Sequence, residues 1–308
     1  MKSKRKGIIL AGGNASRLYP LTNSISKQLM PIYDKPMIYY PLSTLLLSGL
    51  RDILIITNSR DELAFKNLLG DGSHIGINIE YAIQPFPGGL AQAFLIGEDF
   101  IGNDSVALIL GDNLFHGNQL RNQLDIAQFQ EQGATIFAQR VRNPSRYGVV
   151  ELDSEGRVLS IEEKPTKPKS NYALTGLYFF DNTVIKRAHK LKPSPRGELE
   201  ITDIIDSYLN TGDLKIQILG RGLAWLDTGT FDSLNAAGSY IRTLQNRQGM
   251  KIGCPEEIAW ELNLINNKQL EYLAKKYLNS GYGEYLLNLL FEKENENIKL
   301  DKKNVDIN

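Results

Sequence analysis

Two cations and two carboxylates, each near small residues at the end of an apolar run, are the groups in this chain best suited to chemistry. The segment Gly7-Ile-Ile-Leu-Ala-Gly-Gly-Asn-Ala-Ser-Arg17 is followed by Lys27-Gln-Leu-Met-Pro31. Ile8, Ile9 and Leu10 read as a short buried strand, and the residues after them are small enough for backbone to approach a ligand closely. Loop amides at the carboxyl end of a strand can cradle phosphate, and Arg17 and Lys27 add positive charge, so the pattern suits a nucleoside triphosphate. The same residues equally describe an ordinary turn with two solvated cations. The carboxylates are Asp112, after Leu108-Ile-Leu-Gly111, and Asp227, after Ala224-Trp-Leu226. Hard oxygen ligands suit Mg²⁺, which takes one or two carboxylates together with substrate phosphates and water. A plain structural role is open to each as well: Gly-Asp-Asn is good turn chemistry, and Asp227 could cap a helix.

The elements that must position these groups follow from hydrophobic spacing. Strands are predicted at Ile8–Ala11, Ile53–Thr57, Ile77–Ile83 and Val106–Leu110, and helices at Ile38–Ser48, Asp61–Leu69, Leu90–Ile101 and Gln119–Gln132. This alternation indicates βαβ units and a largely parallel sheet. Strand-like runs then crowd together, at Thr135–Arg140, Gly148–Leu152, Val158–Glu163, Leu174–Phe180, Lys215–Leu219 and Ala224–Leu226. A second layer of mixed or antiparallel sheet would account for them. From Phe231 the pattern is helical to Phe291, and Glu292–Asn308, charged and without aromatics, reads as a disordered tail. The expected organisation is an α/β core over 1–230, a helical part over 231–291 and a tail over 292–308.

Composition narrows the function. Lys plus Arg and Asp plus Glu both number 35, a formal net charge of zero, which argues against a general binder of nucleic acid or membrane surfaces. The basic start, Lys2 to Lys6, reads as a solvated terminus. The single cysteine, Cys254, excludes an internal disulfide framework and a cysteine-based zinc site. No apolar run reaches the roughly 20 residues that span a bilayer, and no signal-peptide pattern opens the chain, so a cytoplasmic protein is expected. Neither G-x-x-x-x-G-K-[ST] nor a strand followed by G-x-G-x-x-G occurs, so the common phosphate and dinucleotide motifs are not the source of any nucleotide site.

The loop from Leu10 to Pro31 resembles the signature of the sugar-1-phosphate nucleotidylyltransferases. Lys35-Pro-Met-Ile-Tyr-Tyr-Pro41, Gly111-Asp-Asn113, Tyr147-Gly-Val-Val150, Glu162-Glu-Lys-Pro165, Arg196-Gly-Glu-Leu-Glu-Ile-Thr-Asp203 and Ala224-Trp-Leu-Asp-Thr-Gly-Thr230 are similar to the glucose-1-phosphate thymidylyltransferase branch. The resemblance implies a Rossmann-like mixed sheet flanked by helices, a smaller sheet over the sugar end and a C-terminal helical cap. It implies that dTTP and α-D-glucose 1-phosphate give dTDP-glucose and pyrophosphate with Mg²⁺, feeding deoxysugar synthesis such as that of dTDP-rhamnose. By the same token Arg17, Lys27 and Lys164 are the expected catalytic cations, Asp112 and Asp227 the metal ligands, and Leu10, Gly12, Gly13, Gln84, Gly89 and Asp112 the nucleotide site. Tyr147, Gly148, Glu163, Lys164, Glu198 and Trp225 fall at sugar-contacting positions. A homotetramer is implied, with a second nucleotide-sugar site for end-product inhibition near His116-Gly117, Arg221 and Cys254–Ile258.

Some alternatives stay open at this level. A UTP-using or other hexose-1-phosphate enzyme differs little in its demands, since one methyl is worth only about 1–3 kcal/mol in a pocket. A catalytically silent nucleotide-sugar-binding regulator would have no need of all five charged groups. Departures from the family pattern are Ala15 for glycine, Ser16 for threonine, Gly88 for an acidic residue and Ile205 for asparagine. At Ala15 the expectation is a loop path on which alanine fits without a positive φ.

Overall fold

The computed structural model describes residues 5–13 and 15–305, with side chains to 295. In chain order the strands are β1 (Arg5–Leu10), β2 (Pro31–Ile32), β3 (Lys35–Pro36), β4 (Asp52–Thr57), β5 (Asn78–Ile83), β6 (Ser105–Leu110) and β7 (Asn113–Gly117). Then come β8 (Ala134–Arg140), β9 (Gly148–Leu152), β10 (Val158–Glu163), β11 (Tyr172–Phe180), β12 (Leu214–Leu219) and β13 (Leu223–Asp227). The helices are α1 (Tyr39–Leu47), α2 (Glu62–Leu69), α3 (Gln92–Ile96), α4 (Glu98–Ile101), α5 (Leu120–Gln128) and α6 (Thr183–Ala188). They continue with α7 (Ile201–Leu209), α8 (Phe231–Gln248), α9 (Pro255–Glu261), α10 (Asn267–Lys276) and α11 (Gly281–Val305).

A nine-stranded mixed sheet organises the chain in the order β10-β9-β11-β6-β1-β4-β5, with β8 pairing β11 and β12. Strands β6, β1, β4 and β5 are parallel, as the alternating pattern predicts. Period-two alternation sends Ile9, Ile55 and Ile109 into one core with α1, α2, α5 and the C-terminal helices. Ile8, Leu54 and Leu108 face the other core, with α3, α6 and α7. The later strands largely do not make a separate second layer: β8 to β12 extend the main sheet, through antiparallel pairing of β11 with β6. The smaller sheet is β7 with β13. Strand β7 escapes a sequence reading because it starts inside the turn-like Gly-Asp-Asn. The predicted helix over Leu90–Ile101 breaks at Gly97 into α3 and α4.

One irregularity in this sheet creates the site. Tyr172 and Ala173 of β11 lie opposite Val150 and Val149 of β9, whereas Leu177 to Phe180 lie opposite Ile109 to Val106 of β6. Along that edge Leu174, Thr175 and Gly176 pair with neither strand, and on the opposite edge the ladder with β8 shifts register between Leu174 and Tyr178. Strand β6 ends at Leu110, beside the gap. Gly176 has to be glycine here: a Cβ would lie 2.6 Å from Leu110 Cγ and 2.8 Å from Asn113 Cγ.

The helical part over 231–291 shares its core with the sheet. Residues of α9, α10 and α11 pack in the same cluster as α1 and β1, and α8 packs Ala237 and Ile241 on Ile32, Tyr40 and Leu114. A capping box between Thr230 and Ser233 starts α8, and Gly249 at φ 70° ends it. Two terminal expectations are corrected. Helix α11 runs on to Val305, through most of the stretch expected to be disordered, because extending a nucleated helix costs far less than starting one; residues 306–308 lie outside the described residues. Lys2 to Lys4 also lie outside them, but Arg5 is buried rather than solvated. Its guanidinium donates to Phe180 O at 3.0 Å and Gln130 O at 2.7 Å. Among the described residues no helix is long and apolar enough to cross a membrane.

Packing of the C-terminal helices buries Glu257, which accepts from the Tyr285 hydroxyl at 2.7 Å. Burial pushes its carboxyl up, helped by Glu261 and Glu256 and opposed by Tyr285 and Lys35, to about 7. A carboxyl raised on folding contributes stability at acid pH that is lost as pH rises from its unfolded value through about 7. Glu257→Gln should therefore raise Tm by a few degrees at about pH 8 and lose that advantage at about pH 5, as read by thermal melting at both pH values.

Candidate active site

The gap between β9 and β6 opens into a cleft of about 300 Å³ at the carboxyl end of β6, the usual place for a ligand in an open α/β sheet. Asp112 enters it directly after β6. Its carboxylate is paired with the buried Lys27 ammonium and accepts from Asn113 Nδ2 at 2.7 Å. Burial works to raise this carboxyl, but Lys27 and the hydrogen bonds outweigh it and hold Asp112 below the ordinary carboxylate range. Asp227 ends β13 directly opposite Asn113 in the β7–β13 ladder, which brings the two carboxylate segments side by side. The Thr228 hydroxyl ties them further by donating to Asp112 O at 2.9 Å. Asp227 accepts from the Tyr147 hydroxyl at 3.0 Å and from Arg146 Nη2 at 3.3 Å. Burial first, then the neighbouring Asp227 charge, raises the Tyr147 phenol to about 12. Arg17 also lines the cleft, near Gly229 and Asp227.

The other wall carries hydroxyl-matching groups. Trp225 Nε1 donates to Asn113 Oδ1, which also accepts from Gly176 N at 3.2 Å. Tyr147 meets the Trp225 ring edge-to-face at 5.1 Å. Glu163 ends β10 opposite Gly148 and accepts from Thr202 Oγ1 at 3.3 Å. Lys164 follows at φ 42°, its N–H donating to Tyr147 O at 3.1 Å and its ammonium 3.3 Å from Glu163. Arg196 bridges Glu163 at 3.3 Å, Glu198 at 2.8 Å and the buried Glu200 at 3.5 Å.

A third group of predicted residues forms a separate, adjoining segment that does not line the cleft. Gln84 follows β5, its backbone N–H donating to Thr57 O at 2.7 Å, and its side chain lies against Gly12. Leu10 packs in the core and presents only its carbonyl, which accepts from Gly111 N at 2.9 Å. Gly13 has φ 95° in the loop after β1, and Gly89 lies against the backbone of Leu199. Leu199 N donates to Gly88 O at 2.8 Å and Leu199 O accepts from Ala91 N at 3.1 Å. The Gln84–Gly89 segment is thus clamped to the residue between Glu198 and Glu200.

The structure therefore gathers Arg17, Asp112, Tyr147, Gly148, Glu163, Lys164, Glu198, Trp225 and Asp227 into one cleft, with Lys27 behind Asp112. Sequence reasoning missed Asn113, Arg146, Thr175 and Arg196. Asn113, Arg146 and Arg196 sat within or beside quoted motifs, while Thr175 carried no signal at all. Among the described residues no cluster of three or more His, Cys, Asp or Glu could hold a metal, so an ion here would rest on two carboxylates and on oxygens of a substrate. Away from the cleft, His116, Gly117 and Ile258 line a cavity of about 490 Å³, and Arg221 lines a neighbouring one of about 280 Å³. Cys254 is buried against the Tyr282 hydroxyl at 3.1 Å, and Trp260 is packed in the core.

Residues 6–243 match the family described as nucleotidyl transferase. The glucose-1-phosphate thymidylyltransferase of Neisseria meningitidis is 58% identical over 285 residues, covering 92% of this chain and 99% of that protein. Its counterpart in Mycolicibacterium smegmatis is 59% identical over 286 residues, with the same coverage. Among solved structures, a putative glucose-1-phosphate thymidylyltransferase from Bacillus anthracis in complex with sucrose superposes with a TM-score of 0.72 at 42% identity, over 77% of this chain and 95% of that one.

Ala15 overturns the expectation made for it. It sits at φ 43°, ψ 40°, in the left-handed region, held by Leu18 N at 2.9 Å and Thr22 Oγ1 at 3.0 Å on its carbonyl. A Cβ in that region costs about 1–2 kcal/mol, which exceeds the unfolded-state entropy that glycine restores. Ala15→Gly should leave Tm equal or slightly higher, whereas Ala15→Val should lower it by several degrees. A wild-type melting temperature in the valine variant would contradict the strained loop.

Proposed function

The chain belongs to the nucleotidyl transferase family, and we propose that it joins dTTP to α-D-glucose 1-phosphate, releasing pyrophosphate and dTDP-glucose. An oxygen of the sugar phosphate attacks the α-phosphorus in line; its new P–O bond replaces the bond to the departing pyrophosphate. Such a transfer needs positioning and charge neutralisation more than covalent help. The observation that carries the reading is the meeting, in one cleft, of paired carboxylates and cations on one wall with hydroxyl-matching groups on the other.

Arg17 and Lys27 neutralise the triphosphate, Lys27 from its buried station beside Asp112. Lys164 holds the phosphate of the sugar, its side chain lining the cleft beside Glu163. Glu163 and Glu198, each bridged by Arg196, accept from glucose hydroxyls, and Tyr147 and Trp225 face the ring. Gln84 and Gly89 meet the pyrimidine. Asp112 and Asp227 would hold Mg²⁺, which when bound would withdraw charge from the α-phosphate. A homotetramer, with end-product inhibition at the cavity beside His116 and Ile258, belongs to the same reading, and the product would feed dTDP-deoxysugar synthesis in the cytoplasm.

A pyrophosphate-release assay across dTTP, UTP, CTP, ATP and GTP, each with several sugar 1-phosphates, tests the function; best use of dTTP with glucose 1-phosphate is expected, and no nucleotidyl transfer in any pairing would contradict it. Asp227→Asn should keep the wild-type melting temperature, Asp112→Asn should lower it because the buried Lys27 loses its partner, and both should stay folded and cut kcat by about two orders of magnitude or more. Near-normal kcat in either would remove that residue from the mechanism. Lys164→Ala should raise KM for glucose 1-phosphate while Arg17→Ala damages use of dTTP. Unchanged sugar-phosphate kinetics in Lys164→Ala would contradict its role.

A further inference from the structure

Gln84 reaches the nucleotide loop with an amide whose two ends are chemical opposites, and a neighbour decides which end points where. Gln92 Oε1, on α3, accepts from the Gly88 backbone N–H at 3.1 Å and from Gln84 Nε2 at 2.9 Å. A backbone N–H only donates, so the Gln92 atom that meets it has to be the carbonyl oxygen. The Gln84 atom that meets the same oxygen is then its NH₂. The Gln84 carbonyl is left pointing the other way, onto Gly12, where any Cβ would collide with Oε1. Both side chains are buried, at 7% and 8% exposure, so turning either amide would strand a donor or an acceptor.

We propose that Gln92 is a specificity-determining positioning residue: pinned by the Gly88 N–H, it fixes the Gln84 carbonyl toward the nucleotide loop, so the site accepts a pyrimidine with an imide N3–H and rejects cytosine. Thymine and uracil present that N3–H as a donor, and cytosine presents a bare N3 acceptor in its place. A carbonyl held toward the base is satisfied by the first and repelled by the second, and a site built on a fixed hydrogen bond discriminates far better than an apolar one. Gln92 itself touches no substrate atom. Its segment is also clamped to Leu199, so the amide pair is held from two sides. The inference rests on the reading that Gln84 meets the base.

The test measures kcat and KM for dTTP, UTP and dCTP with glucose 1-phosphate, in the wild type, Gln92→Met and Gln92→Glu. Methionine keeps the length and loses the acceptor; glutamate keeps an acceptor at both oxygens. Gln92→Met should raise KM for dTTP and lower the dTTP-over-dCTP preference in kcat/KM, each by about tenfold, with kcat changed by no more than about threefold. The dTTP-over-UTP ratio should stay as in the wild type, because both bases carry the imide. Gln92→Glu should retain the preference, and in a Gln84→Ala background Gln92→Met should add no further loss. An unchanged preference in Gln92→Met, or an additive loss in the Gln84→Ala background, overturns the proposal. Should Gln92→Met fail to fold, loss of the preference in Gln92→Glu overturns it alone. A wild type that makes no product from dTTP removes the functional reading and this inference together, whereas an active wild type with unresponsive variants removes only the inference.

Discussion

Everything at the candidate site depends on one place where a strand changes partners. Strand β11 leaves β9 after Ala173 and joins β6 from Leu177, and the three residues between, Leu174 to Gly176, pair with neither of those strands. In a sheet otherwise packed on both faces, this is the point at which backbone can meet a ligand rather than another strand. Gly176 makes the junction sterically feasible against Leu110 and Asn113, and its N–H turns to Asn113 Oδ1. Asn113 in turn receives Trp225 and stands opposite Asp227. One unpaired step in the sheet thus fixes an aromatic wall, a carboxylate and the mouth of the cleft together.

Much of the charge in the cleft is held in matched pairs. Lys27 sits on Asp112, Arg146 on Asp227, and Arg196 on three glutamates. Buried charge is costly unless paired, and at Lys27 the Asp112 carboxylate supplies that pairing. On the proposed function, an incoming triphosphate would compete with the carboxylates for the cations, and a divalent ion would compete with the cations for the carboxylates. The backbone clamp of Gly88 and Ala91 on Leu199 joins the segment that carries Gln84 to the loop that carries Glu198 and Glu200.

The parallel half of the sheet was legible because its strands are uniformly apolar and separated by helices of clear spacing. Asp112 was legible because it follows the apolar strand β6, and Asp227 because it follows the short run Ala224-Trp-Leu226, whereas Glu163, Lys164 and Glu198 were reached only through the family resemblance. What the sequence concealed were effects of tertiary pairing. Strands β8 to β12 have the same local pattern whether they extend one sheet or form another, and only the antiparallel contact of β11 with β6 decides. Ala15 could not be read either, since its left-handed backbone is imposed by the hydrogen bonds of Leu18 and Thr22 against the preference of alanine. Arg5 looked like part of a basic terminus, but the β1–β6 register draws it under Phe180.

A crystal structure of the protein bound to dTDP-glucose bears most directly on the claim that the β11 handover builds the site. The account places the hexose against Thr175 and Gly176 between Tyr147 and Glu163, the diphosphate between Arg17 and Lys164, and the base beside Gln84. A nucleotide sugar found only in the cavity beside His116 and Ile258, with the cleft between β9 and β6 empty, would contradict it.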